Sequence, residues 1–303
     1  MALLKMQYDL YPTRGNHEEK YKRLDPIIHG NDFQKTEYSL SNQQLNFFKI
    51  NGYLTVENVF SESEINQLLS EFKKLRFNSA LKNREEFILE PETQHVRSIF
   101  NPHNFSYTFN NISKDKRIVH PVQQILNSRV YIPHARINIK PAMGGKSFNW
   151  HSDFETWHAE DGIPHMRLVT AWVMLTENNE FNGSLFVIPK SHNQFISCIG
   201  RTPLNNYKSS LRKQKFGVPS VDLIKEAASK GGLKAIYGKP GTLVFHECNL
   251  LHGSPDNMSP WPRTNLMFVY NSIYNTPNKY PYAADEFRPE FLSSKKYTPI
   301  KPK

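Results

Sequence analysis

Residues 148–158 read FNWHSDFETWH and place His151 and Asp153 two positions apart. On an extended strand, residues i and i+2 point to the same face, so one strand could offer a nitrogen and an anionic oxygen to one metal ion. His252, within CNLLHGS at residues 248–254, is the best candidate for a third ligand. Two histidines and one carboxylate form the facial triad that binds non-haem iron. Taken alone, the His-x-Asp pair is better explained as a surface coincidence, but the residues after His252 favour the metal site.

Arg263 lies eleven positions beyond His252 (263 − 252) and precedes the apolar run LMFVY at residues 266–270. That run is typical of a buried strand. An arginine entering such a strand needs a partner, because an unpaired buried charge is costly. A dicarboxylic cosubstrate would supply one, since guanidinium binds carboxylate in a bidentate fork. An internal salt bridge to aspartate or glutamate is the alternative.

The longer stretch FNWHSDFETWHAEDGIP, at residues 148–164, closely resembles the signature of the ectoine hydroxylases in the phytanoyl-CoA dioxygenase superfamily. Shorter similar pieces run from near the N-terminus to about residue 272, so the similarity covers nearly the whole chain. They are DLYPTR (9–14), RSIF (97–100), RIN (136–138), LTEN (175–178), IPKSH (188–192) and VYNS (269–272).

This resemblance implies the residues that hold a metal and its cosubstrate. His151, Asp153 and His252 would bind Fe(II), and Arg263 would bind the distal carboxylate of 2-oxoglutarate. The other cosubstrate contacts that it implies are Ser254, Asn138 and Phe148. O2 would take the last open position on the iron. We interpret His192 as a turn histidine that bonds the backbone, because the family does not use this position for metal.

The resemblance also indicates the substrate side. It places Trp157 against the substrate, where an aromatic face suits a cationic ring; a core tryptophan is the alternative. Arg136 and Thr156 are weaker candidates. Two positions depart from the ectoine hydroxylases: His134 stands where they have Gln, and His246 where they have Phe. Protonated histidines would favour a carboxylate, so we expect an additional carboxylate on the substrate relative to ectoine. A slip in the alignment near His246 is the alternative.

We therefore interpret the chain as an Fe(II)/2-oxoglutarate-dependent oxygenase that abstracts hydrogen from a small, amino-acid-derived metabolite bearing carboxylate groups. The outcome could be hydroxylation or an oxidative ring closure like that of the algal kainoid synthases, since both begin with the same step. Ectoine 5-hydroxylase is the first alternative. A catalytically silent ligand-binding module is an alternative of another class, and the intact triad with Arg263 argues against it.

Short apolar segments separated by turn residues predict a mainly β fold with flanking helices. The resemblance implies a double-stranded β-helix core, which is a cupin-like jelly roll. Capping boxes that begin at Ser41 and Ser61 predict two helices, the first ending at Gly52. The strands expected are 53–56, 130–139, 150–153, 169–175, 184–188, 241–245 and 266–272, and the other helices expected are 121–126 and 221–229.

Composition predicts a single catalytic domain over residues 1–303, with 38% hydrophobic residues and no linker-like break. We expect an N-terminal arm at 1–38, a lid-like insertion at 200–238 and a basic C-terminal tail at 285–303. The net charge of +10 is scattered and no nucleic-acid-binding motif accompanies it. The sequence has no apolar run long enough for a membrane span, and its two cysteines imply no disulfide framework. These features predict a cytoplasmic protein with a small-molecule substrate and no nucleic-acid or membrane partner; a homodimer is left open.

Overall fold

The computed structural model describes residues 9–81, 83–90, 93–212 and 214–303. The first eight residues of the expected arm lie outside these ranges. The strands are β1 Lys20–Lys22, β2 Tyr53–Val56, β3 Phe87–Leu89, β4 Val96–Phe100, β5 Val130–Lys140, β6 Phe148–His151, β7 Leu168–Met174, β8 Leu185–Val187, β9 Gln194–Ile196, β10 Lys234–Ile236, β11 Leu243–Glu247, β12 His252–Ser254 and β13 Arg263–Ser272. The helices are α1 Asn42–Asn51, α2 Glu62–Phe77, α3 Pro102–Phe105, α4 Tyr107–Ile112, α5 Lys116–Leu126, α6 Asp153–Asp161, α7 Tyr207–Ser210 and α8 Val221–Gly231. Within the described ranges, every helix is too short or too polar to cross a membrane.

The strands form two main antiparallel sheets. The large sheet has the order β2-β11-β7-β13-β5-β4-β3, and the small sheet has the order β10-β8-β12-β6. Strands β1 and β9 form a separate two-stranded ribbon. Strands that are distant in the chain lie side by side in both sheets, as they do in jelly rolls. The prediction of a mainly β fold with flanking helices and a double-stranded β-helix core is confirmed.

Strand β5 shows how the large sheet separates the core from the site. Its residues Ala135, Ile137 and Ile139 are buried in the main hydrophobic cluster with Leu266 and Phe268 of β13. Apolar side chains of α2 and α5 belong to the same cluster. Because successive side chains of a strand point to opposite faces, the alternate residues of β5 point away from this core. They are His134, Arg136, Asn138 and Lys140.

Helices α1 and α2 begin at the predicted capping boxes. The Ser41 hydroxyl accepts a hydrogen bond from the Gln44 backbone N–H, and the Gln44 side chain accepts one from the Ser41 N–H. Ser61 and Glu64 make the same reciprocal pair at α2. Gly52 ends α1 in the left-handed conformation with a φ of 78°. The other two predicted helices are observed as α5 and α8, each longer than expected.

The expectation that His151 and Asp153 share one strand is wrong. Strand β6 ends at His151, and Asp153 is the first residue of α6. Ser152 between them keeps an extended backbone with φ −105° and ψ 131°. A carboxylate in the first turn of a helix is stabilised by the free N–H groups and the dipole there. This preference favours a helix start at Asp153, and the two side chains meet at a strand-to-helix junction.

The N-terminal arm is tied into the protein and is not only packed on its surface. Tyr11 is fully buried. The Arg14 guanidinium donates two hydrogen bonds to Glu155 of α6, Nε to Oε1 at 2.6 Å and Nη2 to Oε2 at 2.9 Å, and both side chains are buried. Although burial raises the pKa of Glu155, the charge and hydrogen bonds of Arg14 bring it below its usual value. The arm therefore anchors the helix that begins with Asp153.

We expect Arg14→Met to lower the free energy of unfolding by about 3–5 kcal/mol, because it leaves Glu155 as a buried charge without its partner. Urea unfolding followed by circular dichroism measures this loss. Arg201→Met is the matched control, since Arg201 pairs with Asp285 on the surface, where ion pairs contribute little. Equal unfolding free energies for Arg14→Met and the unmodified protein would contradict the anchoring role.

The region expected to be a lid, residues 200–238, contains α7, α8 and β10. Strand β10 pairs with β8 and extends the small sheet, which the sequence analysis did not predict. Ahead of α8, Leu211, Gln214 and Phe216 line the clefts that adjoin the candidate metal site. The function of this segment as a lid stays a prediction.

Candidate functional site

His151, Asp153 and His252 come together at one edge of the small sheet. Strands β6 and β12 pair with His252 opposite His151, and α6 brings Asp153 beside them. One potential ligand atom from each residue lies within 4.8 Å of the others. The two imidazole ring centroids are 4.2 Å apart. The structure therefore gathers the three predicted ligands into one cluster.

The orientation of the two imidazoles fits a metal. Nδ1 of His151 lies 2.8 Å from the Asn149 carbonyl oxygen, and Nδ1 of His252 lies 2.9 Å from the Leu250 carbonyl oxygen. Because a carbonyl oxygen can only accept, each Nδ1 carries the hydrogen and each Nε2 presents a lone pair. These Nε2 atoms lie 3.5 Å and 3.8 Å from Oδ1 of Asp153. Lone pairs that converge on a carboxylate oxygen need a cation between them.

The protonation states agree with this interpretation. Burial, followed by the charge of His151, lowers the pKa of His252 to about 3, so its imidazole is neutral at neutral pH. Burial raises the pKa of Asp153, but the neighbouring histidines outweigh it and hold that pKa well below the usual value. Neutral imidazole and ionised carboxylate are the forms that bind a divalent metal.

A cleft of about 620 Å³ leads from the metal cluster to Arg263. Arg263 is only 3% exposed, and its Nη2 donates to Oδ1 of Asn138 at 2.7 Å. Within the described ranges no carboxylate pairs with it, and its Nε has no hydrogen-bond partner. Burial, then Arg136 and Arg97, lowers the pKa of Arg263 to about 9. The described residues therefore give no support to the alternative of an internal salt bridge, and among them the Arg263 guanidinium has no anionic partner.

In the part of the chain that the structure describes, other buried polar groups in this cleft also lack a hydrogen-bond partner. Among the described residues, Nε1 of Trp172 and Oδ1 of Asn265 are buried without a hydrogen-bond partner. The three predicted cosubstrate contacts Ser254, Asn138 and Phe148 all line the cleft. Buried polar atoms are nearly always hydrogen-bonded in proteins. The unpaired N–H donors, Nε1 of Trp172 and Nε of Arg263, are therefore consistent with a small anionic ligand bound in this cleft.

Lys140 is a further cation in this cleft. It stands opposite Arg263 in the register of β5 and β13, and its Nζ donates to the carbonyl oxygens of Lys146, at 3.0 Å, and Pro255. Burial, and then the charges of Arg263 and Arg97, lower its pKa to about 6, against smaller opposing effects of Asp256 and Glu90. At neutral pH most Lys140 side chains are therefore neutral until an anion enters the cleft.

A second cleft of about 640 Å³ opens on the Asp153 side of the cluster. The predicted substrate residues His134, Arg136, Thr156 and Trp157 line it. Trp157 also packs against Tyr11 and Phe154 in a hydrophobic cluster. It therefore lines the cleft, as a residue that faces the substrate would, and also packs as a core tryptophan would. The Thr156 hydroxyl accepts a hydrogen bond from the Gln214 amide at 3.3 Å.

Arg136 lies where the two clefts meet and lines both of them. Among the described residues, no carboxylate is bonded to its guanidinium, and Asp153 acts on it only through its charge. Burial is the largest effect on Arg136 and lowers its pKa. An unpaired guanidinium at this point favours a ligand that carries a carboxylate.

The expectation of protonated histidines is wrong for His134. Its Nδ1 lies 2.9 Å from the Leu292 carbonyl oxygen. Burial, then Arg136, lowers the pKa of His134 to about 3, so it is a neutral polar group.

His246 lies behind Asp153, with Nε2 at 3.3 Å from Oδ2, and does not line the second cleft itself. His192 bonds the Lys49 carbonyl oxygen through Nε2 at 3.1 Å, as a turn histidine should.

Some residues of the site were missed by the sequence analysis. The alternation of His134, Arg136, Asn138 and Lys140 along an otherwise apolar strand could have indicated Lys140. No local sequence pattern indicated Arg288, which lies in the segment that was expected to be a basic tail. It forms a buried ion pair with Asp161 and lines the second cleft.

A jelly roll with two histidines and one carboxylate, next to a cleft that ends in an unpaired arginine, defines the class of non-haem Fe(II) oxygenases that use a keto-acid cosubstrate. The chain belongs to the phytanoyl-CoA dioxygenase family, whose family model matches residues 48–265.

Comparisons with individual proteins agree with this family assignment. The chain is 45% identical over 273 residues to the ectoine dioxygenase of Bordetella bronchiseptica, covering 90% of this chain and 88% of that one. It superposes on EctD from S. alaskensis solved with 2-oxoglutarate and 5-hydroxyectoine, with a TM-score of 0.87, 35% identity and 98% of each chain covered. The same protein with bound Fe gives a TM-score of 0.86, 35% identity and the same coverage. The chain is thus an Fe(II)/2-oxoglutarate-dependent dioxygenase; the predicted cofactors are confirmed, and a catalytically silent module is not supported.

Proposed function

We propose that this dioxygenase hydroxylates ectoine or a closely similar cyclic amino acid. The observation that carries this proposal is the 45% identity to an ectoine dioxygenase over 90% of the chain. The second cleft supports it, because Trp157 offers an aromatic face and Arg136 an unpaired guanidinium. A delocalised cationic ring and a carboxylate are the two groups that such a pair recognises.

In this proposal the residues divide into two groups. His151, Asp153 and His252 hold Fe(II). The residues that hold 2-oxoglutarate are Arg263, Ser254, Asn138 and Phe148. When bound, Fe(II) with 2-oxoglutarate and O2 supplies the oxidant that removes hydrogen from a C–H bond. The protein orients the substrate carbon toward the metal and excludes water.

A second candidate is oxidation of another amino-acid-derived metabolite that bears carboxylate groups, by hydroxylation or by ring closure. The observation that favours it is the presence of His134 and His246 where ectoine hydroxylases have Gln and Phe. Because His134 is neutral and its Nδ1–H is used by the Leu292 carbonyl, its Nε2 would accept a single hydrogen bond and would not attract a carboxylate by charge. This candidate therefore rests on Arg136 as the cation of the second cleft that is unpaired among the described residues, because Arg288 is already paired with Asp161.

Succinate release separates the two candidates. The enzyme is loaded with Fe(II) and 2-oxoglutarate, and succinate is measured with ectoine and with a panel of N-substituted glutamates and other amino acids. Strong stimulation by ectoine supports the first candidate. Stimulation by a carboxylate-rich amino acid but not by ectoine overturns it, and the product mass then distinguishes gain of oxygen from loss of two hydrogens.

The cytoplasmic location and a homodimer stay predictions.

We expect binding of 2-oxoglutarate to take up a proton at Lys140. An anion in the cleft raises the pKa of Lys140 from about 6, so affinity should be highest at low pH and weaken as the pH rises from about 6 to about 8. Calorimetry of Co(II)-loaded protein at pH 7.5, in two buffers with different ionisation enthalpies, measures this uptake. Lys140→Met should remove it, and an identical proton count in the variant would contradict the role of Lys140.

A further inference from the structure

The two oxygens of the Asp153 carboxylate face different partners. Oδ1 lies toward the imidazoles of His151 and His252, at 3.5 Å and 3.8 Å from their Nε2 atoms. Oδ2 lies 3.3 Å from Nε2 of His246. Since Oδ1 is the oxygen nearer to both other ligands, the metal would bind Oδ1, and His246 stands on the far side of the carboxylate.

His246 makes its main polar interaction with Oδ2 of Asp153, through a hydrogen bond. It lies on β11, where it is paired with β2 and β7 on either side, and it is only 1% exposed. A carboxylate oxygen only accepts, so Nε2 carries the hydrogen and donates it. In the part of the chain that the structure describes, Nδ1 of His246 has no hydrogen-bond partner. Its ring centroid lies 5.1 Å from that of His252, so the ring packs against the metal site without joining the ligand cluster.

We infer that His246 is a positioning residue that holds Asp153 as a one-oxygen ligand; this rests on the proposed role of the triad in binding Fe(II). The terminal torsion of an aspartate is soft, and a free Oδ2 could turn toward the metal as a second ligand atom. That would occupy a position which the cosubstrate or O2 needs. A hydrogen bond from His246 to Oδ2 prevents this turn and fixes the carboxylate.

Phenylalanine cannot donate a hydrogen bond. His246→Phe therefore removes the donor and keeps a flat ring of similar size in the same buried place. His246→Gln is the conservative counterpart, because its side-chain amide can reach Oδ2 with an N–H group. Thr170→Val controls for packing, because Thr170 stands opposite His246 in the β7–β11 register and does not bond Asp153.

The test is Co(II) binding to the full-length metal-free protein, measured by chelator competition and by the visible absorption of bound Co(II). We expect His246→Phe to weaken Co(II) affinity about 10–100-fold, as loss of a hydrogen bond to a metal ligand does, and to change the absorption spectrum. His246→Gln should restore both properties, and Thr170→Val should leave both unchanged. Thermal unfolding of each variant confirms that it is folded.

Two outcomes overturn the inference: a His246→Phe protein with unchanged affinity and spectrum, or a His246→Gln protein as impaired as His246→Phe. Asp153→Ala, measured in parallel, separates this failure from that of the triad. If Asp153→Ala still binds Co(II) with unchanged affinity, the ligand assignment itself is wrong. If it loses Co(II) while His246→Phe behaves as the unmodified protein does, only the positioning role is wrong.

Discussion

Asp153→Ala should leave the protein without bound Fe(II) and without measurable 2-oxoglutarate decarboxylation. Asp153 supplies the anionic ligand of the cluster, and its oxygen is the atom on which both imidazole Nε2 atoms converge. Removing a hydrogen-bond partner of a ligand typically costs about 10–100-fold in metal affinity, so loss of the ligand itself should cost more. Iron content of the purified protein and succinate release measure the two effects.

Asp222→Ala is the control for this substitution. Asp222 is an exposed carboxylate in the first turn of α8, far from the cluster in the chain. It should retain stoichiometric iron and full succinate production. If Asp153→Ala also retained stoichiometric Fe(II), the assignment of the metal site would have to be abandoned.

Arg263→Gln should raise the KM for 2-oxoglutarate at least about 30-fold, since losing one partner of a buried, hydrogen-bonded charge pair costs about 2–5 kcal/mol. Arg263 is a buried residue of the cleft lining and has no carboxylate partner among the described residues. The glutamine keeps a polar group on a shorter side chain and cannot form the bidentate fork. Initial rates of succinate formation across a range of 2-oxoglutarate concentrations give the KM.

A keto acid without the distal carboxylate, 2-oxobutyrate, makes this test specific. It lacks the group that Arg263 is proposed to bind, so the unmodified enzyme and Arg263→Gln should use it about equally poorly. An unchanged KM for 2-oxoglutarate would refute the assignment. An equal loss with both keto acids would instead indicate general damage to the cleft.

The local patterns of the sequence predicted the elements well. The capping boxes at Ser41 and Ser61 placed the starts of α1 and α2, because a cap is satisfied by residues within one helical turn. Apolar runs located β5, β7, β11 and β13 to within a few residues. Six of the described strands were missed: β1, β3, β4, β9, β10 and β12. All but β4 are only three residues long, and each is fixed by pairing with a neighbour in its sheet.

The motif residues of the candidate site were also predictable, and their surroundings were not. The spacing of His151, Asp153, His252 and Arg263 indicated a metal and a carboxylate ligand, and the structure gathers these residues around one cleft. The sequence did not show that Asp153 begins a helix, because the tie between Arg14 and Glu155 that anchors this helix joins residues 141 positions apart.

The sequence by itself therefore determined the family, the longer strands and helices, and which groups are predicted to meet the metal and the cosubstrate. These depend on residue type and on spacing along the chain. The tertiary structure alone decided that His134 is neutral, that Lys140 has a lowered pKa, that Arg288 enters the second cleft and that His246 touches Oδ2 of Asp153. The physical reason is that desolvation and charge at a site depend on which distant strands pack around it, and a local pattern does not contain that information.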